Sequence, residues 1–481
     1  MTWIPAPQLA RLLAGKDWVA PRYRDLADRI GILIADGRVA PGTRLPSERD
    51  LATALGLSRT TVTGAYRTLL ERELLLARRG SGHYIAPRPR AQESPLLPTP
   101  GAGDDGMIAL TVAASPAPPQ VLAAYRRATE RLAELTTGTG YFPEGLPLLR
   151  HRLAERYTAR GVPTDAEQII ITNGALAAQH TCARALLRRG TSAITESVGY
   201  GNSLHLLRRV SADVGADIRS FDMSPDGWDL GSLASVLSQT RASAAFVTPD
   251  FHNPTGRLMS ADDRGELIEI TGRLPVVADE TLVDLPMPWA VPSRSLASVG
   301  DRVILIGSAS KSYWGGLRLG WIRSPQRFTS SLLDAQLVGH HGSPPLEQLV
   351  LAELLAEDSP DGPRVENRDR LQELVPAAMA AVAQHLPSFD FRRPDGGQSL
   401  WLHLPRPAST RLSRIAEQHG VLITPGPHFF CNPGGEHWLR LPVVTDADTF
   451  TEAVRRIAHA WQDLLDGRNP DTGTGRQVMS A

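Results

Sequence analysis

Between residues 22 and 35 apolar side chains recur at helical spacing (Leu26, Ile30, Leu33, Ile34), which predicts an amphipathic helix stopped by Gly37 and Pro41-Gly42. Residues 45–73, LPSERDLATALGLSRTTVTGAYRTLLERE, predict two shorter helices. Ser47 caps one that runs to about Leu55 and ends at Gly56; Ser58 caps a second that reaches about Glu71. Two short helices split by a glycine turn have helix-turn-helix spacing. Residues 74–86 then read as two short strands around Arg79-Gly80-Ser81-Gly82, a hairpin that forms a wing.

Residues 87–106 are rich in Pro, Gly and Ala and read as a linker. Beyond it the pattern changes. Short apolar runs at Gln168–Thr172, Ser192–Glu196, Ala244–Thr248, Pro275–Asp279, Arg302–Ser308 and Leu317–Arg323 alternate with helix-like stretches, the signature of an α/β domain with a mostly parallel sheet. Runs at Ser399–Leu404, Val421–Pro425 and Trp438–Val443 predict a small α+β C-terminal lobe. The expected organisation is a winged helix-turn-helix head at 20–86, the linker, an α/β domain at 107–466 and a frayed tail at 467–481.

Composition sharpens this picture at two points. Net charge is zero over 481 residues, yet residues 1–90 carry 15 Lys+Arg against 8 Asp+Glu, a surplus of 7. A basic head on an acidic body suits a head that meets a polyanion. The second point is lysine: of 51 Lys+Arg only Lys16 and Lys311 are lysines. A lysine kept where arginine is the habit does what a guanidinium cannot, which is to lose a proton and form a Schiff base. No apolar run is long enough for a membrane span, and no signal peptide is recognisable. Two cysteines in unrelated contexts offer no disulfide framework, so a cytoplasmic location is expected.

DNA reading needs a helix for the major groove with arginines and hydroxyls toward phosphates and base edges. The second helix opens Ser58-Arg59-Thr60-Thr61; Arg44 and Arg49 precede it, and the wing carries Arg78, Arg79 and Gly80. A basic helical bundle alone would show as much, but LPSERDLA, SRTTV and RRGSGHYI in this order closely resemble the winged helix of GntR-type repressors. The resemblance covers nearly all of 22–86 and implies a double-stranded DNA operator as partner.

Lys311 stands in SASK, among the hydroxyls of Ser308 and Ser310 and ahead of Arg318, a set suited to an aldehyde cofactor that carries a phosphate. Asp279 ends VVAD, where it can pair with a protonated pyridine nitrogen or serve as an ordinary strand-end cap. Asn253 in HNPTG suits a phenolic oxygen or a plain Asn-Pro turn; Tyr200 suits ring stacking or a structural role. Gly174, Ala175 and Leu176 open a helix whose free N–H groups suit phosphate.

In this order the motifs resemble the fold-type I aminotransferases over residues 107–466 and imply pyridoxal 5'-phosphate (PLP). The resemblance further implies that Tyr141 reaches the partner subunit's cofactor phosphate and that Arg440 binds a ligand carboxylate; a strand-end salt bridge is the alternative for Arg440. A GntR head on such a domain resembles the MocR/GabR regulators. That likeness implies a head-to-tail homodimer whose aminotransferase-like domain senses an amine, an amino acid or PLP. Two departures stand out: Thr281 occupies the place of the family's tyrosine, and Ala175 and Leu176 replace polar residues of the phosphate loop. They point away from transaminase turnover, with an active aminotransferase and a cofactor-free dimeric scaffold as the competing readings.

Overall fold

A computed structural model describes residues 3–13, 18–35, 39, 42–71, 74–78, 82–86, 106–224, 226–291, 293–357 and 363–467. The described residues form two compact units, one on either side of the 87–105 segment.

The first unit contains helices Arg22–Ala35, Glu48–Leu55 and Arg59–Glu71 and a hairpin of Leu75–Arg78 against Gly82–Ile85. Ser47 caps as its side chain predicts, accepting from the Asp50 N–H at 3.1 Å. Gly56 closes that helix at φ 64°, a conformation that suits glycine. Leu26, Ile30, Leu33 and Ile34 are all buried, packed with Leu51, Val62 and Tyr66. The unit also begins earlier than residue 20. A helix at Ala6–Leu13 adds Leu9 and Leu13 to the same core.

The second unit is built on a seven-stranded sheet. Its order is Ile169–Thr172, Gly320–Arg323, Val303–Ser308, Val276–Asp279, Ala242–Val247, Ser192–Glu196 and Asp217–Phe221. Only Gly320–Arg323 runs antiparallel to its neighbours. The strands read as near-continuous apolar runs because helices cover both faces. A smaller five-stranded sheet follows the order Asp390–Phe391, Ser399–His403, Trp438–Pro442, Val421–Pro425 and Ile108–Leu110, with helices Pro363–His385 and Ala447–Leu465 beside it. Among the described residues no helix is long and apolar enough to cross a membrane.

Candidate functional sites

The C-terminal ends of the central strands gather one site, as expected in open α/β sheets. Strand Val303–Ser308 is buried throughout and ends at Ser308, whose hydroxyl accepts from the Ser310 N–H at 3.2 Å. That cap starts the single turn Ala309–Ser312, which presents Lys311. The Lys311 amine donates to the carbonyl of Ala113. Burial, helped by the charges of Arg440 and Arg318 and opposed by Asp279, lowers the amine to about 8. Near that pH about half of it is neutral, against well under about 1% for an ordinary lysine.

Asp279 ends the neighbouring strand, and its Oδ1 accepts from the Thr281 N–H at 2.8 Å. Burial raises its pKa, while the Thr281 donors and Lys311 favour the charged carboxylate. The Thr281 hydroxyl lies near that carboxylate but out of hydrogen-bonding geometry, and its oxygen is buried without a partner. Behind them Glu196, buried under Trp228 and the Thr248 N–H, is pushed up to about 7 by its burial. His252 and His428 are both pushed down to about 4 by burial, so neither adds a charge at neutral pH.

Arg440 is 0% exposed. Its Nη2 donates to the Thr111 carbonyl at 2.9 Å, its Nη1 to Asn253 Oδ1 at 3.3 Å, and it lies over the Phe429 ring at 4.8 Å. Its Nε has no partner, and none of the ion pairs among the described residues includes it. Burial depresses this guanidinium to about 10. The salt-bridge alternative for Arg440 therefore has no carboxylate to rest on. Tyr200 interacts electrostatically with Arg440, Asp279 and Arg318, and its hydroxyl accepts from Asn202 Nδ2 at 2.8 Å.

The anion cradle follows from three local conformations. Gly174, at φ 92°, turns strand Ile169–Thr172 into helix Ala175–Leu186, whose first N–H groups have no intrahelical acceptor. Arg318 takes φ 52°, and its guanidinium lies 3.6 Å from where a Gly174 side chain would begin. A side chain on Gly320 would meet the Gly174 backbone at 2.6 Å, so only glycine lets the strand pack behind the loop. One expectation is corrected here. The Gly174 N–H donates to the Thr172 carbonyl at 2.9 Å, which leaves Ala175 and Leu176 to offer N–H groups. Tyr141 lies away from this cleft, 70% exposed, edge-on to His341.

Lys311, Asn253, Phe251, Leu282 and Gln398 line a common cleft. The buried lysine, the Asp279 carboxylate, the unpartnered Thr281 oxygen and the anion cradle together fit PLP. Sequence reasoning missed Gln398 and Glu196, because single polar residues in apolar runs carry no signal until the fold shows what surrounds them.

In the first unit Ser58, Arg59 and Thr60 are exposed at the start of helix Arg59–Glu71, with Arg44 and Arg49 exposed beside it. Ser58 Oγ meets the hydroxyls of both Thr60 and Thr61, at 2.8 and 2.7 Å, and accepts from the Thr61 N–H, so Ser58 works as a cap. Glu48, unnoticed in the sequence, accepts from the Thr63 hydroxyl at 2.8 Å and holds Arg59 at 3.8 Å. Arg44 lies beside Gly82 at the wing. Arg79, Gly80 and the Arg78 side chain fall outside the described residues.

Fold and site define a PLP-dependent α/β domain carrying a winged-helix head. Residues 109–457 match the family described as "Aminotransferase class I and II", and residues 22–85 match "Bacterial regulatory proteins, gntR family". The chain belongs to the class I and II aminotransferase family, in the branch of MocR-type transcription regulators that bear a GntR head. It is 29% identical over 503 residues to the "HTH-type transcriptional regulator TauR" of Rhodobacter capsulatus, covering 95% of this chain and 99% of that one. It is 28% identical to the "Probable rhizopine catabolism regulatory protein MocR" of Rhizobium meliloti, covering 94% and 96%. Among solved structures, LysN, the α-aminoadipate aminotransferase of Thermus thermophilus complexed with N-(5'-phosphopyridoxyl)-L-leucine, superposes with a TM-score of 0.67 at 26% identity, covering 75% of this chain and 94% of that one.

Proposed function

We propose that this regulator senses a small amine or amino acid at its PLP site and transmits its presence to the operator-binding head. The observation that carries this reading is Arg440, a fully buried cation with no carboxylate partner, set beside a lysine whose amine is half neutral near pH 8. A charge buried without its counter-ion is disfavoured unless a ligand supplies one. When bound, PLP supplies the aldehyde that captures an amine. Lys311 would hold the cofactor, Asp279 would pair with its ring nitrogen, Asn253 would donate to its phenolic oxygen and Tyr200 would lie against its ring, while Ser308, Ser310, Arg318 and the N–H groups of Ala175 and Leu176 would receive the phosphate. Arg440 takes the ligand's carboxylate. The exposed Tyr141 belongs with a homodimer in which it completes the neighbouring site.

Arg49, Arg59 and Thr60 are assigned to the operator, Arg44 and the wing to its backbone, with a cytoplasmic location. The test uses linkage. If an amine changes operator affinity by some factor, the operator must change the amine's affinity by the same factor. Near-visible absorbance of PLP gives the second quantity and DNA binding the first. Amine-induced absorbance changes that leave operator affinity untouched would refute the sensing role.

A further inference from the structure

Gln398 lines the cleft that holds Lys311, yet only 3% of its surface is exposed. Its Nε2 donates to the Ser115 hydroxyl at 3.3 Å, and its Oε1 has no partner. The backbone holds it firmly: the Val443 N–H donates to its carbonyl at 2.8 Å, and the next residue starts the strand that pairs with the one bearing Arg440. Two fully buried neighbours of Arg440 share the pattern. Thr111, whose carbonyl holds Arg440, and Thr424, its cross-strand partner, both carry hydroxyl oxygens without partners. Buried polar groups are nearly always hydrogen-bonded, so the open Gln398 oxygen in the Lys311 cleft and the two open hydroxyls at Arg440 mark recognition rather than packing. The other lining groups narrow the ligand. Phe251, Pro254 and Leu282 are apolar, no Asp or Glu is among the lining residues to hold a cationic side chain, and Arg440 reaches the cleft through its hydrogen bond to the lining Asn253.

We propose that Gln398 reads the effector's side chain and selects a small neutral amino acid bearing a hydroxyl, which donates to Gln398 Oε1 while Arg440 holds the carboxylate. The proposal rests on the sensing role above and adds the class of effector. Ser115 can donate or accept, so one amide group of Gln398 is open in either amide orientation; a hydroxyl, which does both, matches either. A site built to hydrogen-bond a hydroxyl rejects the analogue that lacks it, because the buried amide is then left unmatched.

The probes are L-serine against L-alanine and L-homoserine against L-2-aminobutyrate, titrated into the full-length PLP-loaded protein. Near-visible absorbance and melting temperature are the readouts. Wild type should bind the hydroxylated member of each pair at least about tenfold more tightly. In Gln398→Leu the ratio should fall to about one, with PLP absorbance little changed. Gln398→Met, unbranched and of similar length, serves if the leucine variant melts early. A wild type without preference, or a preference that survives both substitutions, overturns the proposal and leaves the sensing role standing. If no carboxylated amine perturbs a protein that still holds PLP, the sensing role fails and this assignment fails with it.

Discussion

Replacing Arg440 with methionine separates a ligand-binding arginine from a structural one. Depression of the guanidinium from its ordinary value to about 10 corresponds to about 3 kcal/mol against the charged form. Against this stand two hydrogen bonds to neutral acceptors and the Phe429 face, together worth a similar few kcal/mol (about 1.5–3 for each charged bond). Deleting the cation removes both sides of that balance. Arg440→Met should therefore change stability by only about 1–2 kcal/mol in either direction, whereas breaking a buried salt bridge costs about 3–5 kcal/mol. Ligand binding should respond very differently. Losing a forked, charge-assisted grip on a carboxylate should weaken amino-acid binding by about a hundredfold or more. The decarboxylated amine of the same skeleton, which never used that grip, should bind as before. The assay is a melting curve beside paired absorbance titrations of an amino acid and its amine. Destabilisation as large as a broken salt bridge, with both ligands weakened alike, would refute the assignment.

Four further outcomes are expected. Lys311→Ala should carry no borohydride-fixed PLP, whereas wild type keeps a fluorescent label. In the PLP-free protein the buried amine disfavours its charged form below about pH 8. Wild type should therefore gain stability over Lys311→Met as pH rises from about 8 toward about 10.5, by up to about 3 kcal/mol, and show no such trend below; a flat difference across that window would contradict the burial argument. Arg59→Ala should weaken specific operator binding by about 1–3 kcal/mol and relax sequence preference, while Arg44→Ala, as a phosphate contact, should weaken all sequences alike and flatten the salt dependence; salt-resolved binding curves distinguish the two. Coupled assays across amino-acid and keto-acid pairs should find no sustained transamination, and turnover with an ordinary pair would overturn that expectation.

Much of this architecture is legible in the sequence because it rests on local rules. Ser47 and Gly56 bound a helix by chemistry that needs no distant partner, and the run Ser192–Glu196 is a strand because it is buried on both faces. What escapes reading is what depends on neighbours. The edge strand Asp217–Phe221 alternates half-exposed and charged residues, and Ile108–Leu110 is too short to carry a pattern; it forms only because Val421–Ile423 lies beside it. The expected strand Leu317–Arg323 loses its first three residues to a turn, since Arg318 adopts a left-handed conformation. At the site, Lys311 is conspicuous by rarity. The Gly174 N–H turned onto Thr172, the Thr61 hydroxyl turned onto Ser58 and the unmatched amide of Gln398 are relations between side chains that no spacing encodes.

The retained and missing groups of the site divide along a functional line. In the proposed reading Lys311, Asp279 and Arg440 supply binding: they would hold a cofactor and a ligand carboxylate. Binding energy of that kind lowers a dissociation constant without accelerating chemistry, because acceleration needs interactions that strengthen only in the transition state. The position after Asp279 and Glu280, where the aminotransferases it resembles carry a tyrosine, holds Thr281, whose hydroxyl has no partner and whose N–H serves only to orient Asp279. At Ala175 and Leu176 the phosphate cradle likewise offers backbone donors without side-chain ones, alongside the Arg318 guanidinium. The proposed role for such a site is to discriminate ligands without consuming them. For a sensor that is an advantage: a ligand destroyed by turnover would erase the differential binding on which any shift in operator affinity depends.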